Sequence, residues 1–332
     1  MSGQILSDQF GRVHNYLRIS LTERCNLRCT YCMPAEGIEL RPKAHFMKTD
    51  EVLALANIFV SLGVNKIRLT GGEPLVRNDA KEIMEGLAKL PVELAISSNG
   101  ILVDRFIDTF KNTGIKSINI SLDSLQENTF NSITRRNDFQ KIKSNIDLLL
   151  QENFHVKLNA VIMKGVNDHE LLDFIEFTRH KHIHYRFIEF MPFNGNQWDW
   201  SKGVNYKILL SQVEENFPGM VLKLNDKKND TAKAYQIKGF KGSFAFITTV
   251  TNPFCDTCNR LRLTADGKIK NCLFSNGETD LLTAYREGND VRSLIQESVW
   301  HKKAVRGGMD KFEEFSDSER NQQNRNMISI GG

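Results

Sequence analysis

The chain has few cysteines, little net charge and no long apolar run. Its 332 residues include 6 cysteines, and an oxidised disulfide framework is implausible at this size without a secretory leader. Lysine and arginine exceed aspartate and glutamate by 44 − 40 = 4, which does not by itself indicate nucleic-acid binding. No stretch approaches the roughly 20 apolar residues of a membrane span, and the N-terminus shows no leader or transit pattern. We therefore expect a reduced, cytoplasmic protein that binds neither membranes nor nucleic acid.

The six cysteines form two groups of three. The first group has CX3CX2C spacing and the second has CX2CX13C spacing; they are Cys25, Cys29 and Cys32, and Cys255, Cys258 and Cys272. Structural zinc takes four ligands, whereas an iron–sulfur cube bound by three cysteines keeps one iron open for another ligand. Each group is therefore one ligand short of a closed site, which indicates two [4Fe–4S] clusters with an open iron.

A structural zinc site is the alternative for each group. For the first group the fourth ligand would be His45, which lies 45 − 32 = 13 positions beyond Cys32 without an HxH or HxxxH companion. For the second group the nearest following histidine is His301. The corresponding non-enzymatic alternative is a zinc-stabilised nucleic-acid-binding protein, which would be colourless and carry a concentrated basic surface.

Three further motifs follow the first cysteine group in order. They are GGEP at 71–74, SSNG at 97–100 and NISLD at 119–123. With the aromatic Tyr31 just before Cys32, this order resembles the radical S-adenosylmethionine (SAM) superfamily, in which SAM chelates the open iron. The positions that match the superfamily's SAM contacts are Tyr31, Gly72, Ser121 and Met191. For Tyr31 and Met191, ordinary core packing is the alternative.

Features of the C-terminal part narrow the resemblance. The sequence RLR at 260–262 comes just after Cys258, the second cysteine of the second group, and the chain ends in Gly331-Gly332. These features resemble the GTP 3′,8-cyclase family of molybdenum cofactor biosynthesis over nearly the whole chain. In that family a 5′-deoxyadenosyl radical removes the ribose 3′ hydrogen of GTP, and cyclisation onto guanine carbon 8 gives 3′,8-cyclo-7,8-dihydroguanosine 5′-triphosphate. The resemblance implies the same lyase-type activity (EC 4.1.99 class), a second cluster that binds guanine, and a catalytic role for Gly331 and Gly332.

A bound GTP would have to be held without a phosphate-binding loop, because the sequence contains no GxxxxGK[ST]. Arginine suits phosphate groups because its planar guanidinium can donate two parallel hydrogen bonds to two oxygens of one phosphate. The positions that match the family's GTP contacts are Arg18, Arg68, Ser97, Lys164, Arg260, Leu261 and Arg262. Arg18 and Arg68 fall in predicted strands, where an unpaired charge is costly. Ser97 stands where the family usually has threonine, and it keeps the hydroxyl.

The resemblance also implies partners for the reaction. They are a reductant such as flavodoxin or ferredoxin, the next enzyme of the pathway (cyclic pyranopterin monophosphate synthase) through its product, and a second copy in a homodimer. The main enzymatic alternative is another radical SAM enzyme with an auxiliary cluster, such as a peptide maturase. Those enzymes typically carry more C-terminal cysteines than the three found here, so RLR and the final GG favour the cyclase.

Alternating strand and helix patterns predict the fold. The expected strands lie at 16–21, 66–70, 92–97, 116–122, 155–163 and 184–191. Strand followed by helix, repeated, predicts a parallel sheet, and the motifs fall at carboxyl ends, where α/β barrels carry their active sites. We predict an α/β fold in which residues 1–225 form an incomplete (β/α)6 TIM-like barrel with the first cluster. A β-containing C-terminal domain, 226–332, would cover the open side and carry the second cluster and the Gly-Gly tail.

Within the C-terminal part, strands are expected at 232–237 and 243–250, and a hairpin joins 260–264 to 268–272. A type I turn with Gly267 in the left-handed conformation pairs Arg260 with Cys272 and puts both on the face of Arg262. A two-residue Asp-Gly turn would pair Leu261 with Cys272 instead and separate them. We expect the first register.

Overall fold

The centre of the molecule is a set of six parallel strands, each followed by helical segments. The computed structural model describes residues 5–331 except 35, 40, 197, 227, 318–320 and 322. The central strands are β1 Tyr16–Ser20, β2 Lys66–Thr70, β3 Glu93–Ser98, β4 Ser117–Ser121, β5 His155–Ile162 and β6 His184–Glu189. The helices between them are α1 Thr49–Ser61, α2 Ala80–Leu87, α3 Ile107–Asn112, α4 Glu127–Thr134, α5 Phe139–Gln151 and α6 Leu171–Glu176. The six predicted strands are confirmed to within two residues at each end, and the sheet is parallel as expected.

The C-terminal strands extend this sheet at both edges. They are β7 Val221–Lys223, β8 Ala232–Ile237, β9 Ser243–Ile247, β10 Arg260–Leu263, β11 Lys268–Lys270 and β12 Thr279–Asp280. The order is β12-β11-β10-β1-β2-β3-β4-β5-β6-β9-β8-β7, with β9 parallel to β6 and β10 parallel to β1. The helices of this part are α7 Tyr206–Asn216, α8 Leu281–Arg286, α9 Val291–Trp300, α10 Phe312–Ser316 and α11 Met327–Ile330. The sequence did not predict that strands from the C-terminal part would flank both ends of one sheet.

Apolar residues alternate with polar and cationic residues along the central strands, so the two faces of the sheet differ in character. On β1 and β2 the residues Leu17, Ile19, Ile67 and Leu69 are fully buried in the main apolar core, together with Phe59 of α1. Because successive side chains of a strand point to opposite faces, the residues between them face the other side. That second face, which we call the inner face, carries mostly polar and cationic side chains. In the part of the chain that the structure describes, no helix is both long and apolar enough to cross a lipid bilayer.

The hairpin of β10 and β11 has the predicted register. Arg262 pairs with Lys270 and Leu263 pairs with Ile269, so Arg260 falls opposite Cys272 when the pairing is continued. Gly267 has φ +71° and occupies the left-handed position of the turn. The arginines of RLR and the last cysteine of the second group therefore share one face.

The turn glycine yields a stability prediction. A Cβ atom at Gly267 would lie 2.3 Å from Cβ of Leu282, whereas a Cβ atom at Gly239 (φ +89°) would meet no atom within 4 Å. Gly239→Ala is expected to lower the free energy of unfolding by about 1–2 kcal/mol, the cost of the left-handed backbone. Gly267→Ala is expected to lower it by about 2–4 kcal/mol, because steric overlap is added. Denaturant titration of both variants measures this, and equal losses would contradict the packing of the hairpin on α8.

Candidate active site

A cavity lies at the carboxyl ends of the central strands. The loop after β1, the GGEP segment after β2, the SSNG segment at the end of β3 and residues after β4 and β6 all reach it. Met327 and Ile328 of α11 close one wall. The lining residues with a role predicted from the sequence are Cys25, Cys29, Tyr31, Cys32, Gly72, Ser97, Ser121 and Met191. The structure thus brings the first cysteine group and the four expected SAM contacts to one cavity.

The thiols of the first cysteine group are buried where ionisation is unfavourable. Burial, with the nearby Glu73 carboxyl as a second cause, raises the pKa of Cys25 to about 11. Burial also raises the pKa values of Cys29 and Cys32, and neighbouring thiols of the group add to the rise. A bound cation offsets the cost of three thiolates in such a place, and sulfur ligands suit an iron–sulfur cluster. The donor set therefore fits the expected cluster.

A site for a single metal ion is a different arrangement. Within the described ranges, no group of three or more His, Cys, Asp or Glu side chains is arranged to hold one ion. A [4Fe–4S] cube binds each cysteine through a separate iron, so its three sulfurs need not converge on one point. His45, the fourth ligand of the zinc alternative, is exposed in the short turn after residue 42.

Hydrogen bonds tie two expected SAM contacts to each other. The side-chain amide of Asn196 donates to the backbone carbonyl oxygens of Met191 at 2.8 Å and Tyr31 at 3.3 Å. The hydroxyl of Tyr31 donates to Asp123 Oδ2 at 2.7 Å, and the N–H of Val161 donates to Asp123 Oδ1 at 2.8 Å. Burial raises the pKa of Asp123 to about 6. Tyr31 and Met191 are therefore fixed at the cavity wall through their backbones.

Gly72 lies where a side chain has no room. Its N–H donates to the carbonyl oxygen of Thr22 at 2.7 Å. A Cβ atom would lie 2.4 Å from the carbonyl oxygen of Arg24 and 2.9 Å from Cγ1 of Ile328. The GGEP segment, the cysteine-bearing loop and α11 therefore pack as one unit around this backbone.

Glu73 joins the ends of β2 and β3. Its carboxylate accepts hydrogen bonds from the N–H of Asn99 at 2.6 Å, the hydroxyl of Ser98 at 2.9 Å and the N–H of Leu75 at 3.0 Å. Burial raises the pKa of Glu73 to about 7, although these donors act in the opposite direction. The GGEP and SSNG segments are thus held together by one side chain.

Three arginines form a row across adjacent strands of the inner face. Arg18 of β1 pairs with Arg262 of β10 on one side and with Arg68 of β2 on the other. We call these three residues the arginine row. Burial lowers the pKa of Arg18 well below its usual range, and the charge of Arg262 is the next cause. Like charges so placed repel one another, so the row favours a polyanionic ligand.

Arg68 is held in place by protein groups. Its Nη1 donates to the carbonyl oxygen of Ile96 and its Nε to the hydroxyl of Tyr16, both at 2.6 Å. Burial raises the pKa of Tyr16, but the charges of Arg68 and then Arg18 outweigh it and lower that pKa to about 8. Arg260 lies over the Tyr16 ring at 6.0 Å. The row and its neighbours therefore form a fixed cationic surface.

The second cysteine group lies at the edge of this surface. Cys255 and Cys258 precede β10, and Cys272 follows β11. Burial raises the pKa of Cys255. Burial acts the same way on Cys258, but the charges of Lys302 and then Arg260 outweigh it and lower the pKa of Cys258 to about 7. Two cations thus favour the thiolate form of Cys258, which is the form that binds iron.

The C-terminal segment reaches the arginine row. Arg262 Nη1 donates to the carbonyl oxygen of Gly331 at 2.7 Å. Gly331 has φ +88°, and a Cβ atom there would lie 2.7 Å from Thr70 Oγ1 and 2.8 Å from Ser20 Cβ. Upstream, Arg325 binds both carboxylate oxygens of Asp266, at 2.8 and 2.9 Å. The backbone at Gly331 therefore fits between the ends of β1 and β2, while Gly332 lies outside the described residues.

Comparison with known proteins agrees with this geometry. Residues 19–178 match the Radical SAM superfamily, and residues 183–307 match the family described as Molybdenum Cofactor Synthesis C. A protein of Arabidopsis thaliana named GTP 3′,8-cyclase, mitochondrial, is 47% identical over 99% of this chain and 84% of its own length. The chain belongs to the GTP 3′,8-cyclase family of radical SAM proteins. Molybdenum cofactor biosynthesis protein 1 of Drosophila melanogaster is 49% identical over 90% of this chain, which spans about half of that protein (54%).

The fold of this cyclase-family chain also occurs in a solved structure of another protein. The crystal structure of Streptococcus suis SuiB bound to S-adenosylmethionine superimposes with a TM-score of 0.61 over 92% of this chain and 70% of that chain. Sequence identity is 14%, so the likeness concerns the fold alone.

The inner face of this cyclase-family chain holds two cations that the sequence reading missed. Lys157 and Arg186 lie on β5 and β6, and Arg186 Nε donates to Asn159 Oδ1 at 2.8 Å. Burial and then the charge of Arg186 lower the pKa of Lys157 to about 8, while burial and then the charge of Arg68 lower that of Arg186 to about 9. Their signal in the sequence is a polar residue at alternate positions of otherwise apolar strands.

Three expected GTP contacts are placed differently from the arginines. Lys164 is exposed after β5, and its backbone N–H donates to the carbonyl oxygen of Lys202 at 2.9 Å. Leu261 is fully buried on the core face opposite Leu17, so only its backbone can face a ligand on the inner side. Ser97 is half-buried on the inner face, where its hydroxyl accepts a hydrogen bond from Asn119 at 3.4 Å.

The cationic surroundings of Tyr16 predict a measurable titration. Without an anion, Tyr16 should ionise near pH 8, because Arg68 and Arg18 stabilise its phenolate. Tripolyphosphate bound at the arginine row should raise this pKa again, since its charge opposes the phenolate. The difference in absorbance at 295 nm between the wild-type protein and Tyr16→Phe measures the titration. If this absorbance difference shows no ionisation of Tyr16 below pH 9, the electrostatic arrangement is contradicted. It is also contradicted if tripolyphosphate leaves the titration unchanged.

Proposed function

We propose that this chain converts GTP to 3′,8-cyclo-7,8-dihydroguanosine 5′-triphosphate, the first step of molybdenum cofactor biosynthesis. The observation that carries the proposal is the arginine row on the inner face of β10, β1 and β2. The second cysteine group adjoins β10 and β11, and the cavity of the first group lies at the carboxyl ends of the central strands. A buried row of like charges suits a triphosphate, and two soft-donor groups suit two clusters. The name of the Arabidopsis relative supports the same reaction, and the name of the Drosophila relative supports the same pathway.

Two groups of residues would hold the metal clusters. They are Cys25, Cys29 and Cys32 for the first [4Fe–4S] cluster, and Cys255, Cys258 and Cys272 for the second. When bound, the first cluster and SAM supply the one-electron chemistry that removes the ribose 3′ hydrogen of GTP. The protein's own contribution is to bind and orient both molecules and to keep water out.

The cavity beside the first cysteine group would bind SAM. Asn196 fixes the backbones of Tyr31 and Met191, and the backbone of Gly72, packed against Arg24 and Ile328, lies at the cavity where the methionine end would bind. Ser121 lines the cavity at the end of β4. The apolar side chains of α11 cover the cavity and would exclude water from the reacting atoms.

The cationic inner face would bind the triphosphate. Arg18, Arg68, Arg260 and Arg262 meet there, and Nη1 of Arg260 is buried without a hydrogen-bond partner among the described residues. A phosphate oxygen would satisfy such a group. We assign Lys157 to this set in place of Lys164, with Ser97 and the backbone of Leu261 as further contacts.

The Gly-Gly end would act where the triphosphate meets the row. Arg262 already donates to the carbonyl oxygen of Gly331, so the tail and a phosphate oxygen share this guanidinium. We propose that Gly331 and Gly332 are catalytic, and for Gly331 the support is that its backbone lies where a side chain would collide with Ser20 and Thr70 at the ends of β1 and β2.

The remaining features of the proposal follow from the family. They are an incomplete (β/α)6 barrel over 1–225 with a C-terminal domain over 226–332, a lyase-type reaction, and a homodimer. Flavodoxin or ferredoxin would supply the electron, and cyclic pyranopterin monophosphate synthase would receive the product. Six free cysteines support a reducing, cytoplasmic location, while the Arabidopsis relative carries the word mitochondrial in its name.

The function is tested by product formation under anaerobic conditions. Protein reconstituted with iron and sulfide is incubated with dithionite and SAM, with GTP, with ATP or with no nucleotide. We expect 5′-deoxyadenosine and the cyclised nucleotide with GTP, and little of either without it. Cys29→Ala, which removes one ligand of the first group, is the matched inactive control. Absence of 5′-deoxyadenosine from protein with both clusters intact would refute the proposal.

The choice between Lys157 and Lys164 is tested by GTP affinity. A charge-assisted hydrogen bond contributes about 1.5–3 kcal/mol, so Lys157→Met should weaken GTP binding about tenfold or more. Lys164→Met, which removes the same charge from an exposed position, should change the Kd less than about twofold. Equilibrium binding of GTP to the two variants measures this, and the opposite order would return the role to Lys164.

A further inference from the structure

A chain of buried polar groups lies behind the second cysteine group and takes no part in the proposed reaction. It consists of Arg12, Asp8, His14 and Lys302, which we call the buried relay. Asp8, His14 and Lys302 are almost completely buried, with exposures of 3%, 1% and 2%. The first three residues belong to the N-terminal segment and Lys302 follows α9, so the relay connects distant parts of the sequence.

Lys302 directs all three of its protons at acceptors. Its Nζ lies 2.9 Å from the carbonyl oxygen of Arg260, 3.4 Å from Sγ of Cys258 and 3.5 Å from Nδ1 of His14. An ammonium group has three donors and no acceptor, so these contacts use its full capacity. The ammonium group is therefore held in one position, with one N–H directed at a cysteine sulfur.

The rest of the relay fixes that position. Nε2 of His14 lies 2.9 Å from Asp8 Oδ2, so a proton on Nε2 leaves Nδ1 free to accept from Lys302. Burial and then the charge of Lys302 lower the pKa of His14 to about 4, so the ring is neutral near pH 7. Arg12 Nε donates to the same carboxylate at 2.6 Å. The direction of every hydrogen bond from Arg12 to Cys258 is thereby determined.

Arg12 also connects the relay to the backbone around the second group. Its Nη1 donates to the carbonyl oxygens of Cys255 at 2.9 Å and Ala304 at 2.7 Å, and its Nη2 donates to that of Lys303 at 2.8 Å. The N-terminal segment therefore holds the backbone of Cys255 and the segment of Lys302 together. The relay is built into the site and is not a chance surface contact.

Among the described residues, no cation donates a hydrogen bond to a sulfur of the first cysteine group. The side-chain donors there are neutral: the amide of Asn99, 3.7 Å from Sγ of Cys25, and the hydroxyl of Tyr31 at Cys29. The charges that act on these sulfurs are the carboxyls of Glu73 at Cys25 and Asp123 at Cys29 and Cys32. At the second group, Sγ of Cys255 also accepts from the N–H of Arg306 at 3.4 Å. Hydrogen bonds to the sulfurs and local net charge are two factors that set the potential of an iron–sulfur cluster. Both groups accept hydrogen bonds at sulfur, but a cation lies at the second group and carboxyls lie near the first, so the two groups differ in local charge.

We propose that Lys302 is a tuning residue that donates an N–H···S hydrogen bond to Cys258 and raises the reduction potential of the second cluster. A reduced cluster is one charge more negative, so a fixed neighbouring cation stabilises it more than the oxidised cluster. His14 and Asp8 act as positioning residues for Lys302. This inference rests on the proposed function, because it assumes that Cys255, Cys258 and Cys272 hold a [4Fe–4S] cluster.

The test isolates the second cluster in the full-length chain. Cys25→Ser, Cys29→Ser and Cys32→Ser together remove the first cluster, and iron and sulfide analysis then counts the second. Its midpoint potential is measured by redox titration followed by electron paramagnetic resonance. Lys302→Met should shift the potential to more negative values, and Lys302→Arg should recover part of the shift. Lys303→Met, which removes the adjacent exposed charge, is the matched control and should leave the potential unchanged.

The outcomes separate this inference from the proposed function. An intact second cluster whose potential is the same in Lys302→Met and Lys303→Met would overturn the role of Lys302 and leave the function standing. Absence of any cluster from the isolating variant would overturn both.

A second measurement needs no substitution at Lys302. Protein labelled with 15N-lysine should show a weak 15N coupling to the reduced second cluster in pulsed electron paramagnetic resonance, and no such coupling to the first. Lack of a lysine coupling at the second cluster would overturn the hydrogen bond directly, even if Lys302→Met failed to fold.

Discussion

The repulsion among Arg262, Arg18 and Arg68 is the constraint on which the rest of the site depends. Strand alternation places all three on the inner face, and parallel pairing of β10 with β1 and β1 with β2 puts them side by side. The core on the opposite face must provide the free energy that keeps these charges together. A bound polyanion such as the proposed triphosphate would offset this repulsion.

Local patterns predicted much of the fold and little of its long-range pairing. The six central strands follow from short apolar runs, and the register of the β10–β11 hairpin follows from Gly267 in its turn. Joining β9 to β6 and β10 to β1 was not predictable, because pairing between distant strands leaves no local signal. Helix α7 lies between the predicted strands 184–191 and 232–237, where no element was predicted.

In the candidate site, too, contacts between distant parts of the sequence were harder to predict than local motifs. Arg18, Arg68 and the arginines of RLR were predicted through a resemblance, and the structure brings them together. Lys157 was not singled out from the sequence because a lone lysine inside an apolar strand is a weak signal, and its role in place of Lys164 is a proposal. Lys302 was missed because its contact with Cys258 joins residues 44 positions apart, with no motif around either to link them.

We propose that one surface holds GTP, with its triphosphate on the arginine row and its ribose at the cavity of the first cysteine group. Isotope transfer from GTP deuterated at the ribose 3′ carbon tests this placement most directly. Mass spectrometry of the 5′-deoxyadenosine formed should show one deuterium, and GTP deuterated at another ribose carbon should give none. Unlabelled 5′-deoxyadenosine from the 3′-deuterated substrate, formed at a normal rate, would contradict the account.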